Sequence, residues 1–134
     1  MQFNFLLIDD DPIFNFLNEK IVAETGCAKD LKIFISAEEG YAYLQSLSDQ
    51  SHPFPGIILL DLRMPSMNGI EFLEVFHRFP EEQIRHTGIY MLSSSLNEAD
   101  RMKTLSFPRV KEFLSKPLTI EQLQELCKKI SEEA

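Results

Sequence analysis

The sequence predicts an α/β fold, a doubly wound five-stranded parallel sheet with helices on both faces. Three observations carry this. Short apolar runs alternate five times with segments of helical spacing, and strands alternating with helices imply a parallel sheet. The run Ile57 to Leu60 is unbroken aliphatic, as in strands covered on both sides. Aspartates, serines and a lysine directly follow the apolar runs, where the strands of such a sheet end.

The first strand is read at Phe3 to Ile8 and ends in three aspartates. Asp11-Pro12 opens a helix, Asp as its cap and Pro at its first position. Ile13, Leu17 and Ile21 recur at helical spacing, with Phe14 and Val22 beside them, and Gly26 stops the helix. Leu31 to Ile35 reads as the second strand. Ser36 to Glu39 fits a capping box before a helix carrying Ala37, Tyr41, Leu44 and Leu47 on one side. Residues 48–56 form a turn-rich loop, and the third strand runs from Ile57 to Leu60. A helix from about Ile70 to Phe79 follows the loop RMPSMNG. Gly88 to Leu92 reads as the fourth strand, and Asn97-Glu98 begins a weakly patterned helix. The fifth strand spans Val110 to Leu114. Thr119 to Gln122 forms a second capping box, opening a last helix with Ile120, Leu123, Leu126, Cys127 and Ile130 inward.

The 134 residues fit one domain, 1–134, with no linker or repeat. A net charge of −8 argues against nucleic-acid or anionic-membrane binding by the whole surface. No apolar run is long enough to span a bilayer, and the N-terminus turns acidic at once, unlike a secretory signal. Cys27 and Cys127 lack metal or redox spacing and read as two unpaired thiols, which suits a reducing cytoplasm. His52, His77 and His86 are dispersed, which disfavours zinc.

The residues after the strands belong together. Asp9 and Asp10 follow the first, Asp61 the third, Ser93 to Ser95 the fourth and Lys116-Pro117 the fifth. All these ends point to one edge of the sheet. Three carboxylates and one ammonium leave a residual −2, and like charges about 4 Å apart repel by roughly 4 kcal/mol at an effective dielectric near 20. One divalent cation balances the sum. An oxygen-only site open to water suits Mg²⁺, and such a site suits phosphoryl transfer, with a carboxylate as the nucleophile.

The stretches LLIDDDP, IILLDLRMPSMNG, YMLSSS and FLSKPLT, in that order, resemble the receiver domain of bacterial two-component response regulators, in its stand-alone, single-domain form. The likeness covers about Phe3 to Ser131. It implies a flavodoxin-like (βα)5 sheet in order 2-1-3-4-5. It makes Asp61 the phosphoacceptor and Asp10 the main acid for Mg²⁺, with Asp9 beside it and the backbone carbonyl of Arg63 completing the protein ligands. Ser93 becomes the switch hydroxyl, Lys116 the partner of the phosphoryl group, and Phe113 the aromatic switch; the peptide to Pro117 is often cis in this family. The phosphodonor is expected to be a sensor histidine kinase or a phosphotransfer protein. Output is expected through contacts with a downstream protein target that the sequence does not name, with no direct nucleic-acid contact and no membrane insertion. The resemblance implies a cytoplasmic phosphoprotein that catalyses only its own phosphorylation and dephosphorylation. Phosphorylation-dependent homodimerisation is left open.

Three features depart from the family pattern. SFPRVKEF at residues 106–113 replaces the common Gly-Ala turn before the fifth strand. Phe113 lacks the hydroxyl of a tyrosine. Arg63 is large and basic, and is read as screening attacking water and tuning phosphoryl lifetime. Two rival readings differ in class. A haloacid-dehalogenase-like phosphatase would want a second acid where Arg63 stands, and a cap domain. A pseudo-receiver, a binding module that takes no phosphate, would keep the fold without the chemistry.

Overall fold

The computed structural model describes residues 2–95 and 97–133. The elements run β1 (Phe3–Ile8), α1 (Pro12–Thr25), β2 (Ala28–Phe34), α2 (Ala37–Asp49), β3 (Ile57–Asp61), α3 (Gly69–Phe76), α4 (Glu81–Ile84), β4 (Gly88–Ser93), α5 (Glu98–Leu105), β5 (Val110–Ser115) and α6 (Ile120–Glu133). The strands form one sheet in the order β2-β1-β3-β4-β5, every neighbouring pair parallel. The predicted fourth and fifth helices are therefore α5 and α6.

Strand alternation divides the core into two layers. Leu6, Ile8, Ile58 and Leu60 face one cluster with Ala37, Leu44, Phe72 and Phe76 of α2 and α3. Phe5, Leu7, Ile57 and Leu59 face the other, with Val22 of α1 and Leu123, Leu126 and Cys127 of α6. Ile57 to Leu60 are wholly buried, which is why that strand reads as continuous rather than alternating. Each such side chain contributes about 1.5–3 kcal/mol on leaving water.

Asp11 accepts from the Ile13 N–H at 2.9 Å, and Gly26 ends α1 in the left-handed region at φ 70°. Thr119 and Gln122 form a reciprocal box before α6, each side chain bonding the other's backbone N–H. Ser36 caps α2 through the Glu39 N–H at 3.1 Å. The full box at α3, Asn68 with Glu71, is one the sequence reading passed over.

Four expectations need correction. β2 begins at Ala28, three residues early, and ends at Phe34. Ala28, Lys29 and Asp30 are poor strand formers, tolerated because β2 is an edge strand with much of its length exposed. α3 ends at Phe76, with His77 as its cap, rather than at Phe79. The turn α4 was not foreseen; Pro80 starts it and it carries a single buried apolar residue, Ile84. The largest difference is in α1. The first two positions of its regular stripe are turned outward, with Ile13 68% and Leu17 42% exposed, as is Phe16 at 56%, while Ile21 and Val22 reach the core as expected. The buried positions are Asn15, Asn18 and Val22.

The atypical segment before β5 has a partner. The His77 ring bonds the Leu73 carbonyl through Nδ1 at 2.7 Å, and its Nε2 accepts from the Arg109 N–H at 3.2 Å. That assigns the proton to Nδ1. The ring also lies against Phe107, so a histidine and a phenylalanine do the positioning here. Burial lowers the His77 pKa below the ordinary value, keeping the ring neutral for this role. Cys27 and Cys127 are free thiols in the α1–α6 layer, and burial, then Cys27, push the Cys127 thiol up to about 12. Among the described residues no helix is long and apolar enough to cross a membrane.

Candidate functional site

β1 and β3 are adjacent, with β2 on one outer side and β4 and β5 on the other, so the switch in strand order falls at their C-terminal ends. Asp9 and Asp10 follow β1 and Asp61 closes β3. Carboxylate oxygens of the three lie within 4.8 Å of one another. Lys116 reaches them from beyond β5. Its Nζ is 2.7 Å from Asp9 Oδ2 and 3.1 Å from Asp61 Oδ1, and its side chain is only 6% exposed. The peptide to Pro117 is cis.

Asp9 is fully buried, Asp61 is buried and Asp10 is exposed. Asp9 is held twice by its own surroundings. Its Oδ1 accepts from the Asp11 N–H, and its backbone carbonyl accepts from Asn15 Nδ2, each at 2.9 Å. Asp9 Oδ2 is ion-paired with Lys116 and has no well-directed hydrogen bond among the described residues. Burial, then the charge of Asp9, push the Asp61 carboxyl up to about 6, against the opposing pull of Lys116. Burial alone would lower the Lys116 ammonium, but its bonds and charge contacts with Asp9 and Asp61 outweigh this and hold it above the ordinary lysine value.

The chemistry of the cluster suits a divalent cation. It offers oxygen donors only, one of them a buried carboxylate oxygen lacking a directed partner, and one residue open to water. Hard cations such as Mg²⁺ prefer that set. The residues present fit the ion.

Of the remaining predicted residues, Ser93 ends β4, Phe113 lies on β5 and Arg63 follows β3. Ser93 is buried, and its hydroxyl donates to the Ser95 carbonyl at 2.8 Å, within its own loop. The backbone carbonyl of Ser93 accepts from the Lys116 N–H, joining the two strand ends. Phe113 is half-buried and lines a cavity of about 220 Å³ with Asn97, Glu98 and Arg101. The Arg63 side chain is mostly exposed and forms an ion pair with Asp100 of α5 at 3.1 Å. That partner was not foreseen. Gly69 was not singled out either. A Cβ there would lie 2.8 Å from the Asp61 carbonyl, so only glycine lets α3 start against the end of β3. Asn15 had a signal that went unused, since two asparagines three residues apart interrupt the apolar first half of the helix.

An acidic pocket at the switch point of a doubly wound sheet, reached by a lysine just beyond the fifth strand, is the arrangement that the sequence resemblance implies. The family model described as the response regulator receiver domain matches residues 5–128, and the chain belongs to that family. It is similar to the crystal structure of a two-component response regulator from Cytophaga hutchinsonii, with a TM-score of 0.88 and 32% identity, covering 98% of this chain and 99% of that one. A response regulator receiver protein from Dyadobacter fermentans gives 0.82 and 32%, covering 96% and 97%. Among curated relatives, a probable C4-dicarboxylate response regulator of Halalkalibacterium halodurans is 29% identical over 96% of this chain and 54% of its own length. An uncharacterized response regulatory protein of Vibrio cholerae is 28% identical over 96% of this chain and 44% of its own. The chain thus spans about half the length of these relatives.

Proposed function

We propose that Asp61 accepts a phosphoryl group from a phosphohistidine on a sensor histidine kinase or phosphotransfer protein. The observation that carries this is the convergence of Asp9, Asp10, Asp61 and Lys116 in one partly buried pocket. An Asp61 oxygen attacks phosphorus in line, the phosphorus–nitrogen bond breaks, and the imidazole leaves with its electron pair and takes up a proton. The product is an aspartyl phosphate. Asp10, Asp61, Asp9 and the Arg63 carbonyl would hold Mg²⁺, which would supply charge neutralisation and keep Asp61 ionised. Lys116 stays charged and meets the equatorial oxygens as they approach Asp61.

Ser93 then exchanges the Ser95 carbonyl for a phosphoryl oxygen. Phe113 follows toward the vacated space, and the balance of conformers on the α5–β5–α6 face shifts. Residues 1–134 act as one receiver domain in the cytoplasm. Output passes to a downstream protein, with phosphorylation-dependent homodimers as one route. Arg63 shields Asp61 from water when it leaves Asp100; Arg63→Ala is expected to change the dephosphorylation rate.

The deciding test is intact mass after incubation with acetyl phosphate, with Mg²⁺ or with EDTA, on wild type and Asp61→Asn. Gain of one phosphoryl group that needs both Mg²⁺ and Asp61 supports the reading. No gain, even from a phosphorylated kinase, overturns it in favour of a phosphate-independent binding module.

A further inference from the structure

Lys116 has a third neighbour besides its two carboxylates. Its Nζ lies over the ring of Phe14, 4.4 Å from the centroid. Phe14 is half-buried on the first turn of α1, two residues after Pro12 and next to Asn15, which holds Asp9. Asp9 Oδ2 and Asp61 Oδ1 lie on one side of the ammonium, at 2.7 and 3.1 Å. The Phe14 ring covers another side with its negative face. A desolvated cation over such a face is attracted to it.

We propose that Phe14 is a positioning residue, holding the Lys116 ammonium against Asp9 and Asp61. A lysine is a point charge on a flexible four-carbon stem, so fixing its head removes freedom that phosphoryl transfer would otherwise have to freeze out. The ring does this without a hydrogen bond that would have to break. Lys116 can therefore slide from carboxylate to phosphoryl oxygen while staying under the same roof. An aliphatic residue at position 14 would fill the space and exclude water but would not attract the charge. The kinetic part of this proposal rests on Asp61 being the phosphoacceptor; the placement of Lys116 does not.

The test compares wild type, Phe14→Leu and Phe14→Tyr by two readouts. In NMR spectra, Lys116 Hε protons held over a ring are displaced upfield. The displacement is expected in wild type, kept in Phe14→Tyr and lost in Phe14→Leu. No phosphoryl group is needed, so this arm stands even if Asp61 accepts none. In the second arm, aspartyl phosphate formation from acetyl phosphate with Mg²⁺ is expected to slow by about five- to tenfold in Phe14→Leu and to recover in Phe14→Tyr. Phe14→Met replaces the leucine variant should that fail to fold. Absence of the upfield shift in wild type overturns the placement. A wild-type rate in a leucine or methionine variant that has lost the shift overturns the kinetic role. If wild type itself takes no phosphoryl group, the phosphoacceptor reading fails, and the shift alone upholds or refutes the contact.

Discussion

Helices α1 and α6 have the same length, pack against each other and cover the same face of the sheet, yet they are built in opposite ways. α6 buries Leu123, Leu126 and Cys127 and shows its charges to water. α1 buries Asn15 and Asn18 and shows Ile13, Phe16 and Leu17. The difference follows from position. α6 only has to cover apolar strand residues, whereas the first turns of α1 run beside Asp9 and Lys116. An apolar inward face there would leave the Asp9 carbonyl without its donor. A helix beside a charged pocket is shaped by what the pocket needs.

Four measurements test that contrast. Leu123→Ala in α6 is expected to cost roughly 3–5 kcal/mol in chemical denaturation, from lost burial plus a cavity. A loss under 1 kcal/mol would mean α6 is not the packed element. Next in size, Mg²⁺ at a hundredfold its dissociation constant should raise stability by about 2.5–3 kcal/mol by mass action. Asn15→Leu should shrink that gain by weakening Mg²⁺ affinity, read by calorimetric titration. An unchanged affinity would detach the polar face of α1 from the site. Third, Asn18 is buried with its Nδ2 unpartnered among the described residues. Asn18→Leu is expected to stabilise the fold by about 1 kcal/mol, since it removes an unsatisfied polar group of similar size. Destabilisation would show that Asn18 has a partner worth keeping. Smallest of all, Phe16→Ser on the outward face should change stability by less than about 0.5 kcal/mol. A larger loss in the thermal midpoint would place Phe16 against something.

The same contrast explains what the sequence could tell. Where burial or a local cap acts, the pattern was readable: the aliphatic strand before Asp61, the inward stripe of α6, and the Asp11, Asn97 and Thr119 caps. The meeting of Asp9, Asp10, Asp61 and Lys116 was also legible, because parallel strands bring their ends to one edge. What escaped depends on contacts between distant parts of the chain. No local pattern links Arg63 to Asp100, His77 to Arg109 or Phe14 to Lys116. The apolar spacing of α1 was real, but spacing gives a stripe and not the direction it faces. β2 escaped at its start because an edge strand needs little hydrophobicity to pair.

Gly69 carries a consequence for how this chain can vary. Its N–H donates to the Leu62 carbonyl at 2.8 Å, and its bare Cα rests against the Asp61 backbone. The segment from Asp61 to Gly69 therefore leaves the strand end and returns to it, a ring closed by a hydrogen bond. A ring has a circumference, and this one permits neither a residue more nor a residue fewer without moving the carboxylate it starts from. The exposed loop at residues 50–53, before the start of β3, makes no hydrogen bond to a strand among the described residues and can change length, whereas Phe54 to Gly56 are tied to the core and to β1. Insertions and deletions should accumulate in that loop and be excluded from the ring, making its residue count as strict a requirement as the identity of the aspartate.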